Sequence, residues 1–242
     1  MFEASAAIQA QETTRAYDRI APLYDLIDGI YEHSWKRRLR SKLFQYATGR
    51  ILDVGVGTGC NIPFYPKDSH VIGVDVSEKM LERARGRAQE SACSVTLKSM
   101  NLFSLDFPDN SFDTVTITFV LLCLPDELQE PALRELKRVT KPDGQILVLD
   151  YQMSSKPGVR LWRKYLSPWL KWAFAARFDS TTEQYVEKAG LSITKKQTFM
   201  SDGVAMLILQ SDEDNAAPVE KPVTVEKAVD VETSIVPIPE VA

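Results

Sequence analysis

The chain has 242 residues, of which 44% are hydrophobic and 26% are charged, which is the size and composition of one large folded domain. Its three cysteines exclude a disulfide framework and its two histidines leave few ligands for a metal, so we predict no metal site. The net charge is −4, no apolar run approaches the roughly 18 to 20 residues that span a bilayer, and the first residues lack the layout of a signal peptide. We therefore expect a cytoplasmic protein.

Acidic residues are concentrated at the C-terminal end of the chain. Residues 211–242 contain eight acidic side chains and two lysines, a local charge of −6, which leaves about +2 for the rest of the chain. This segment has four prolines but no aromatic residue and no glycine, so it has too little apolar surface to offset the entropy cost of ordering. We predict a disordered acidic tail over residues 211–242.

Between residues 50 and 210, short β-branched runs alternate with helical stretches. The predicted strands are Ile51–Val54, Val71–Asp75, Ser94–Lys98, Thr114–Val120, Gln145–Asp150, Leu191–Lys196 and Val204–Gln210, and the predicted helices are Ser77–Gln89, Asp126–Val139 and Thr181–Lys188. The first five strands are nearly continuously apolar, as is typical of strands covered by helices on both faces. The last two are expected to form a hairpin that turns at residues 201–203. The pattern predicts a doubly wound α/β domain over residues 46–210 with a seven-stranded, mostly parallel sheet.

A glycine-rich motif follows the first predicted strand and is expected to open a helix. It reads Leu52-Asp53-Val54-Gly55-Val56-Gly57-Thr58-Gly59-Cys60-Asn61. Glycines at alternate positions let the backbone turn sharply and let a ligand approach it without meeting a Cβ. The dinucleotide fingerprint needs glycine or alanine at position 60, where this chain has Cys60. A Walker loop needs Gly-Lys-Ser/Thr, which does not follow this turn. The motif therefore disfavours nicotinamide cofactors and excludes a Walker loop.

A second acidic residue, Asp75, ends the second predicted strand, 22 residues after Asp53. At such a position an acidic side chain can accept hydrogen bonds from both hydroxyls of a ribose. Because the carboxyl ends of parallel strands meet at one edge of a sheet, we expect both carboxylates to lie close to the glycine turn. This combination favours a cationic nucleoside as the ligand.

Two further motifs complete the pattern, namely Asn101-Leu102 after the third strand and residues 107–113 before the fourth. Together the motifs resemble those of the class I S-adenosylmethionine-dependent methyltransferases over about 160 residues. The resemblance implies S-adenosylmethionine as the cofactor and a Rossmann-like fold. The cofactor-binding residues that it implies are Asp53, Gly55, Gly57 and Gly59 for the methionine half, Asp75 for the ribose, Val76, Asn101 and Leu102 for the adenine, and Phe119. Asn101 departs from the aspartate common in the family, but its amide oxygen can still accept a hydrogen bond from the adenine.

Residues 1–45 precede the cofactor domain and contain two tyrosines in the segment from Tyr17 to Asp25. In the methyltransferases that the chain resembles, such a segment forms a helical lid and contributes tyrosines to the pocket. Tyr17 and Tyr24 would be those residues here. The alternative is a packing helix whose tyrosines only fill space.

The stretch from residue 151 to residue 178 is both basic and aromatic. It has no acidic residue, six basic residues and three of the four tryptophans. On short amphipathic helices such residues suit a protein that lies on an anionic membrane surface, so we predict peripheral membrane association. The alternative is that the tryptophans pack against the sheet and the cations face water. Nucleic acid is not expected as a partner, because the body is only about +2 and shows no recognition module.

Two branches of the family share these features. Phospholipid N-methyltransferases, which convert phosphatidylethanolamine towards phosphatidylcholine, resemble the chain in residues 17–25 and in Asn61–Tyr65. Quinone-ring C-methyltransferases resemble it in residues 24–26 and 33–37, but usually present an Arg-Asn pair where this chain has Phe119-Val120-Leu121-Leu122-Cys123. An apolar wall suits an acyl chain or a small amine, so we predict a phospholipid or similar amphiphilic acceptor. A quinone enzyme, a small-molecule or thiol methyltransferase, and a non-enzymatic cofactor sensor or assembly partner are the alternatives.

An amine acceptor must lose a proton during methylation, because an ammonium has no lone pair. The candidate proton acceptors, which we predict as catalytic residues, are Tyr17, Tyr24, Asp150 and Tyr151. Proton loss to water is a further route.

Overall fold

The computed structural model describes residues 35–152, 182–200 and 202–212, together with residues 8, 9, 11, 14, 15 and 18. Tyr17 and Tyr24, most of the predicted lid, residues 153–178 of the basic stretch and the tail beyond residue 212 lie outside the described residues. What we predict for those segments stays a prediction.

A seven-stranded sheet forms the centre of the described structure. Its strands are β1 (Arg50–Val54), β2 (His70–Asp75), β3 (Ser94–Ser99), β4 (Phe112–Thr118), β5 (Thr140–Tyr151), β6 (Leu191–Phe199) and β7 (Val204–Ser211). The order across the sheet is β3-β2-β1-β4-β5-β7-β6. The first five strands pair in parallel, and β7 runs antiparallel to both β5 and β6. The predicted mostly parallel sheet and terminal hairpin are therefore confirmed.

Four α-helices lie wholly within the described residues. They are α1 (Arg37–Leu43), α2 (Glu78–Gln89), α3 (Asp126–Val139) and α4 (Glu183–Val186). Helix α2 begins after Ser77, whose Oγ accepts a hydrogen bond from the Met80 backbone N–H at 3.2 Å, which satisfies a donor that has no partner within the helix. Helix α4 continues as a 3₁₀ turn and ends at Gly190, which has a φ of 72°. The helices predicted from periodicity occur at the expected positions.

The glycine-rich turn differs from the prediction, because no α-helix follows it. The chain forms only a 3₁₀ turn at Ile62–Phe64 and then becomes extended at Tyr65, with a ψ of 139°. Tyr65 precedes Pro66, and a residue before proline is driven out of the helical region by the proline ring. Pro63 also lacks the N–H that would continue a helix.

The two faces of the sheet carry different layers. Leu52 and Val54 of β1 pack on one side with the apolar face of α3. Ile51 faces the other side and packs with Leu39 and Leu43 of α1. This alternation is the two-residue period of a strand, and it places the side chain of every second β1 residue under α1.

Strand β4 carries a row of buried threonines on its α1 side. Thr114, Thr116 and Thr118 alternate with apolar residues and are at most 5% exposed. The Thr114 hydroxyl donates to the Thr48 carbonyl at 2.9 Å, and the Thr116 hydroxyl donates to Asp53 at 2.7 Å. A buried hydroxyl needs such partners, so the row fixes the contacts between β4, β1 and the chain near α1.

The order of the strands determines where a ligand site can form. From β1 the chain adds strands first on one side, as β2 and β3, and then on the other, as β4 and β5, so the strand order reverses between β1 and β4. In open α/β sheets, ligands bind at that point in the crevice beyond the carboxyl ends of the strands. The glycine turn follows β1, Asp75 ends β2, Asn101 follows β3 and Phe119 follows β4. All four predicted positions therefore lie at one edge of the sheet.

In the described parts of the chain, no helix is long and apolar enough to span a membrane.

Candidate functional site

A cleft opens at this edge of the sheet and encloses about 1020 Å³, including solvent at its mouth. Its walls come from the ends of β1, β2 and β4, from the turns after β1, β2, β3 and β4, from α1 and α2, and from one residue near the N-terminus. The lining residues are Gln9, Arg40, Val54, Gly55, Val56, Gly57, Thr58, Cys60, Val74, Asp75, Val76, Met80, Met100, Asn101, Leu102, Phe103, Thr118, Phe119, Val120, Cys123 and Leu124. Most of the predicted cofactor residues thus meet in a single cleft.

Among the three glycines of the turn, Gly57 alone has room for a Cβ. A Cβ on Gly57 would meet only the Gly55 carbonyl oxygen, at 4.0 Å, whereas a Cβ on Gly55 would lie 2.3 Å from Val120 Cγ2. A Cβ on Gly59 would lie 2.7 Å from Ile62 Cδ1. Gly55 and Gly59 are therefore required by packing within the protein. Gly57 lines the cleft and leaves its backbone accessible to a ligand.

Asp75 connects this turn to the start of α2. One carboxylate oxygen accepts a hydrogen bond from the Gly57 N–H at 2.8 Å, and the other accepts one from the Ser77 N–H at 2.9 Å. Burial raises the pKa of Asp75, while the backbone hydrogen bonds act in the opposite direction. The Val76 N–H contributes a third backbone hydrogen bond. A carboxylate offers about four acceptor positions, so capacity remains for a ligand hydroxyl.

The wall on the β3 side is apolar apart from Asn101. Val76, Met100 and Leu102 line it together with Phe103. The Asn101 side-chain oxygen accepts a hydrogen bond from the Phe103 N–H at 3.1 Å, a local turn in which an asparagine side chain bonds the backbone two residues on. This oxygen, predicted as an acceptor for a ligand amino group, also stabilises the turn that carries Leu102.

Asp53 lies beneath the turn and is not among the residues that line the cleft. It is completely buried and accepts hydrogen bonds from the Asn61 amide at 2.8 and 3.0 Å and from the hydroxyls of Tyr65 and Thr116. Burial raises the pKa of Asp53, and these hydrogen bonds and the charge of Arg40 oppose that rise. The expectation that Asp53 lines the methionine half is corrected here, because β1 directs this side chain towards α1. Asp53 is connected to the glycine motif by its hydrogen bonds with Asn61, the last residue of that motif.

Phe119 begins the wall after β4 and has a φ of 57°, which is uncommon for a bulky residue. Its N–H donates to the Leu149 carbonyl at 2.8 Å. Its ring packs against Tyr151 and Trp35, with centroid distances of 5.5 and 6.1 Å. Tyr151 does not line the cleft itself, and it contacts the wall by packing against Phe119 and against the cluster of Leu122 and Cys123.

The segment after Phe119 corrects one detail of the predicted apolar wall. Leu121 and Leu122 are at most 3% exposed and belong to the core, while Val120, Cys123 and Leu124 line the cleft. The reason is that β4 ends at Thr118 and residues 121–123 form a 3₁₀ turn, so the two-residue alternation of a strand does not continue. The wall is apolar, as predicted, but different side chains form it.

Asp150 forms hydrogen bonds with the backbone of this segment. It is 4% exposed, and its carboxylate accepts hydrogen bonds from the Leu122 and Tyr151 N–H groups at 3.0 and 2.7 Å. Burial raises the pKa of Asp150 to about 7. Asp150 is not among the residues that line the cleft, so in this structure its carboxylate faces backbone N–H groups.

Residues from the N-terminal segment and α1 reach the cleft without having been predicted from the sequence. Gln9 lines the cleft, and its side chain donates to the Cys123 carbonyl at 3.3 Å. Asp18 does not line the cleft but accepts a hydrogen bond at 2.6 Å from the hydroxyl of Ser77, which lies two residues after Asp75. Arg40 of α1 lines the cleft beside Thr118. No local motif marks these residues, since each contact joins parts of the chain that are distant in sequence.

Within the described residues, no group of histidine, cysteine or acidic side chains could hold a metal ion.

Known proteins resemble this chain in both sequence and fold. The family described as "Methyltransferase domain" matches residues 51–144. The phosphatidylethanolamine N-methyltransferase of Cereibacter sphaeroides is 32% identical over 205 residues, which cover 81% of this chain and 95% of that protein. A demethylmenaquinone methyltransferase of Listeria monocytogenes is 32% identical over 187 residues, covering 72% of this chain and 77% of that protein. The crystal structure of a SAM-dependent methyltransferase from Thermotoga maritima, described as a possible histamine N-methyltransferase, matches with a TM-score of 0.64 and 22% identity over 82% of this chain and 99% of that chain.

The chain belongs to the S-adenosylmethionine-dependent methyltransferases, as its motifs indicated. It is an enzyme, its cofactor is S-adenosylmethionine, and its fold is the Rossmann-like fold of that family. The cleft fits this cofactor. It offers an exposed backbone at Gly57, the carboxylate of Asp75 and the apolar side chains after β3. When bound, S-adenosylmethionine supplies an electrophilic methyl group on a sulfonium centre.

Proposed function

We propose that this enzyme methylates the amine of a phospholipid headgroup, converting phosphatidylethanolamine towards phosphatidylcholine. The observation that carries the proposal is the apolar wall after β4, to which Phe119, Val120, Cys123 and Leu124 contribute. A phenolic acceptor buried against this segment would lack a side-chain partner for its hydroxyl there, and an unpaired buried hydroxyl costs about 1 to 3 kcal/mol. An acyl chain or an amine with apolar substituents has no such requirement.

The relatives favour the same acceptor by their coverage. Both named relatives are 32% identical to this chain, so identity does not separate them. The alignment covers 95% of the phosphatidylethanolamine enzyme but 77% of the demethylmenaquinone enzyme. The larger shared extent supports the lipid acceptor, with quinone-ring C-methylation as the other outcome of the test.

The residues proposed to hold the cofactor divide among three parts of the cleft. Gly57 and its turn hold the methionine half, and Asp75 accepts hydrogen bonds from the ribose hydroxyls. Val76 and Leu102 pack on the adenine, and Asn101 contacts its amino group. Phe119 completes the wall near the reacting end. The main task of these residues is to hold the methyl group in line with the nucleophile and to exclude water.

The acceptor amine needs a route for its proton, and we propose a tyrosine of the N-terminal segment for that step. Tyr17 and Tyr24 remain the first candidates. Tyr151 does not line the cleft but packs against its wall, and the Asp150 carboxylate accepts hydrogen bonds from the backbone of that wall and of Tyr151. Asp150 and Tyr151 are therefore second candidates, and proton loss to water is the remaining route.

Membrane association is the second half of this proposal. A lipid acceptor must be reached at a membrane surface, and residues 151–178 carry six basic residues and three tryptophans without an acidic residue. Each cation near an anionic surface contributes about 1 kcal/mol. Six such residues can hold an enzyme at the surface without inserting a segment across the bilayer.

The test uses purified enzyme, S-adenosylmethionine with a labelled methyl group, and a mixed extract of membrane lipids. The proposal predicts label in a lipid that ionises as a methylated ethanolamine. Label in a neutral, ultraviolet-absorbing fraction would show a quinone acceptor instead, and label in the aqueous phase would show a small-molecule acceptor.

Tyr24→Phe tests the proton route, because it removes the hydroxyl and keeps the ring. We expect a large fall in kcat with nearly unchanged cofactor affinity, and an unchanged kcat would remove Tyr24 from this role.

A further inference from the structure

A methionine at the tip of the terminal hairpin is exposed at the edge of the sheet where the cleft opens. Among the described residues, three large apolar side chains are exposed, namely Ile8 at 57%, Ile193 at 37% and Met200 at 53%. Met200 directly follows β6, whereas Ile193 lies near the start of that strand. Single apolar side chains on a surface are common, so exposure alone does not identify a binding surface. Its position and its neighbours distinguish Met200 from Ile193.

The strand pairing places Met200 at the carboxyl edge of the parallel strands. Strand β7 runs antiparallel to both β5 and β6, so β5 and β6 end at the same edge. Val204 pairs with Tyr151, the last residue of β5, and with Phe199, the last residue of β6. The cleft opens at this edge as well, since the ends of β1, β2 and β4 line it. Ile193, six residues before Phe199, lies about 20 Å towards the opposite edge.

Hydrogen bonds define the turn that carries Met200. The Gly203 N–H donates to the Met200 carbonyl at 3.2 Å, and the Gln152 side chain donates to the Asp202 carbonyl at 2.8 Å. Met200 has a φ of 54°, in a region that bulky residues rarely adopt. Such a backbone conformation persists only where surrounding contacts hold it. The turn thus keeps the Met200 side chain in an exposed position before any partner arrives.

A row of aromatic side chains leads from the cleft to this tip. Phe119 lines the cleft, and the centroid of its ring lies 5.5 Å from that of Tyr151 and 6.1 Å from that of Trp35. Tyr151 and Phe199 lie on the same face of the sheet, since both pair with Val204. The members of this aromatic row, all half-buried, are Trp35, Phe119, Tyr151 and Phe199. Tryptophan and tyrosine are enriched where a protein meets the interface of a membrane.

Helix α1 places cations beside the aromatic row. It begins two residues after the first member of the row, reads Arg-Arg-Leu-Arg-Ser-Lys-Leu and contains no acidic residue. Arg37 and Arg38 are exposed, and Lys42 Nζ lies 5.1 Å from the centroid of the Phe199 ring. The hairpin turn carries the acidic residue Asp202, which is half-buried. The exposed cations of α1 complement an anionic surface.

We propose that this edge docks on an anionic membrane, with Met200 inserted into the interface and the cations of α1 against the lipid headgroups. Docking in this orientation brings the mouth of the cleft to the membrane. An amphiphilic acceptor then reaches Phe119 along the aromatic row without crossing open water. The proposal rests on the membrane association proposed above and adds a docking surface formed by the hairpin tip and α1. It does not depend on which acceptor group the enzyme methylates.

The experiment measures co-sedimentation of the full chain with vesicles of phosphatidylglycerol and phosphatidylcholine, without S-adenosylmethionine. Met200→Gln removes the apolar surface and keeps a neutral side chain of similar length. It should weaken binding by about 5- to 30-fold, because a methionine at the interface gains free energy by leaving water. Met200→Leu keeps an apolar side chain of similar volume and should bind within about twofold of the wild type.

Ile193→Gln is the matched control. It makes the same kind of change at an exposed position of the same hairpin, at the end away from the cleft, and should bind within about twofold of the wild type. Arg38→Gln tests the charge and should weaken binding by about fivefold at low salt. The affinity for S-adenosylhomocysteine in calorimetry should be the same in all these variants, which would show that they fold.

A second measurement needs no variant. Peroxide oxidises an exposed methionine to its sulfoxide, and mass spectrometry measures the extent of oxidation at Met200. Anionic vesicles should slow this oxidation, whereas vesicles of phosphatidylcholine alone should leave its rate unchanged. An unchanged rate with anionic vesicles that bind the protein would overturn the proposal.

The outcomes separate this docking surface from membrane association as such. Weaker binding of Met200→Gln, together with retained binding of Met200→Leu and Ile193→Gln, would support the proposal. If the wild type binds anionic vesicles and Met200→Gln binds them equally well, membrane association stands and the docking surface is wrong. If the wild type does not bind them, both fail. If the wild type without lipid is a dimer in ultracentrifugation and Met200→Gln is a monomer, a second copy of the chain covers the tip, which would also overturn the proposal.

Discussion

Substituting Gly57 by alanine tests whether the cofactor approaches the backbone at the open position of the turn. Gly57 has a φ of 55°, and an L-residue in this region costs about 1 to 2 kcal/mol. The new Cβ would meet only the Gly55 carbonyl oxygen, at 4.0 Å, so we expect no steric cost within the protein itself. Gly57→Ala should therefore lower the free energy of unfolding by about 1 to 2 kcal/mol and leave the fold intact.

The effect on the cofactor should be separate from this loss of stability. The added methyl group would occupy the cleft where the methionine half of the cofactor is proposed to lie. Forcing an extra methyl group into a packed contact typically costs about 1 to 3 kcal/mol, which corresponds to roughly 5- to 150-fold weaker binding. Calorimetric titration with S-adenosylhomocysteine measures this loss, and denaturation in urea measures the change in stability.

Two other glycines provide matched controls. A Cβ on Gly86 of α2 would meet nothing within 4 Å, so Gly86→Ala should raise stability by roughly 0.5 to 1 kcal/mol and leave cofactor affinity unchanged. Gly55→Ala should destabilise the protein more than Gly57→Ala, because its Cβ would lie 2.3 Å from Val120 Cγ2. Cofactor affinity that is the same in the Gly57 variant and the wild type would refute the assignment of Gly57 to the methionine half.

Three further predictions follow from the carboxylates and from the basic stretch. Asp75→Asn should weaken binding of S-adenosylhomocysteine by about 10- to 100-fold through loss of charged hydrogen bonds to the ribose, while Asp68→Asn, at an exposed position, should not; equal affinities in calorimetry would remove Asp75 from the site. Burial raises the pKa of Asp150 to about 7, so the native state keeps a proton on Asp150 that the unfolded chain loses above about pH 4. The binding of this proton stabilises the native state at low pH, and the stabilisation should decrease as the pH rises towards 7. Asp150→Asn should flatten that pH dependence in urea denaturation, and a slope equal to that of the wild type would contradict the assignment. Co-sedimentation should show binding to vesicles that contain anionic lipid and weaker binding at high salt, whereas equal recovery with neutral vesicles would count against membrane docking through residues 151–178.

Much of the sheet and of the cofactor edge could be predicted because their signals are local. Strand β4 reads Phe-Asp-Thr-Val-Thr-Ile-Thr, and its β-branched and aromatic residues are those enriched in strands. The glycine motif directly specifies a turn, and the strand order then brings Asp75 and Asn101 to the same edge. In each of these positions the local preference and the tertiary fold agree.

The errors arose where backbone direction changes outside regular structure. The prediction continued β4 through Val120, so Leu121 and Leu122 were expected in the cleft wall. In the structure Phe119 takes a positive φ and a 3₁₀ turn follows, which buries both leucines. Asparagine and glycine are the residues that usually mark such a backbone position, and a phenylalanine gives no such signal.

The burial of Asp53 shows how one part of the site depends on another. The sequence placed its carboxylate at the cofactor edge, but the side chain turns towards α1 and is enclosed by Asn61, Tyr65 and Thr116. A buried carboxylate without these donors would cost several kcal/mol, so the network must form as a unit. Through Asn61 the network also fixes Arg40, whose helix precedes the whole cofactor domain. Strand β1, the glycine turn and α1 are thus joined beneath the cleft. A substitution that breaks this network in any one of them should therefore change the affinity for the cofactor.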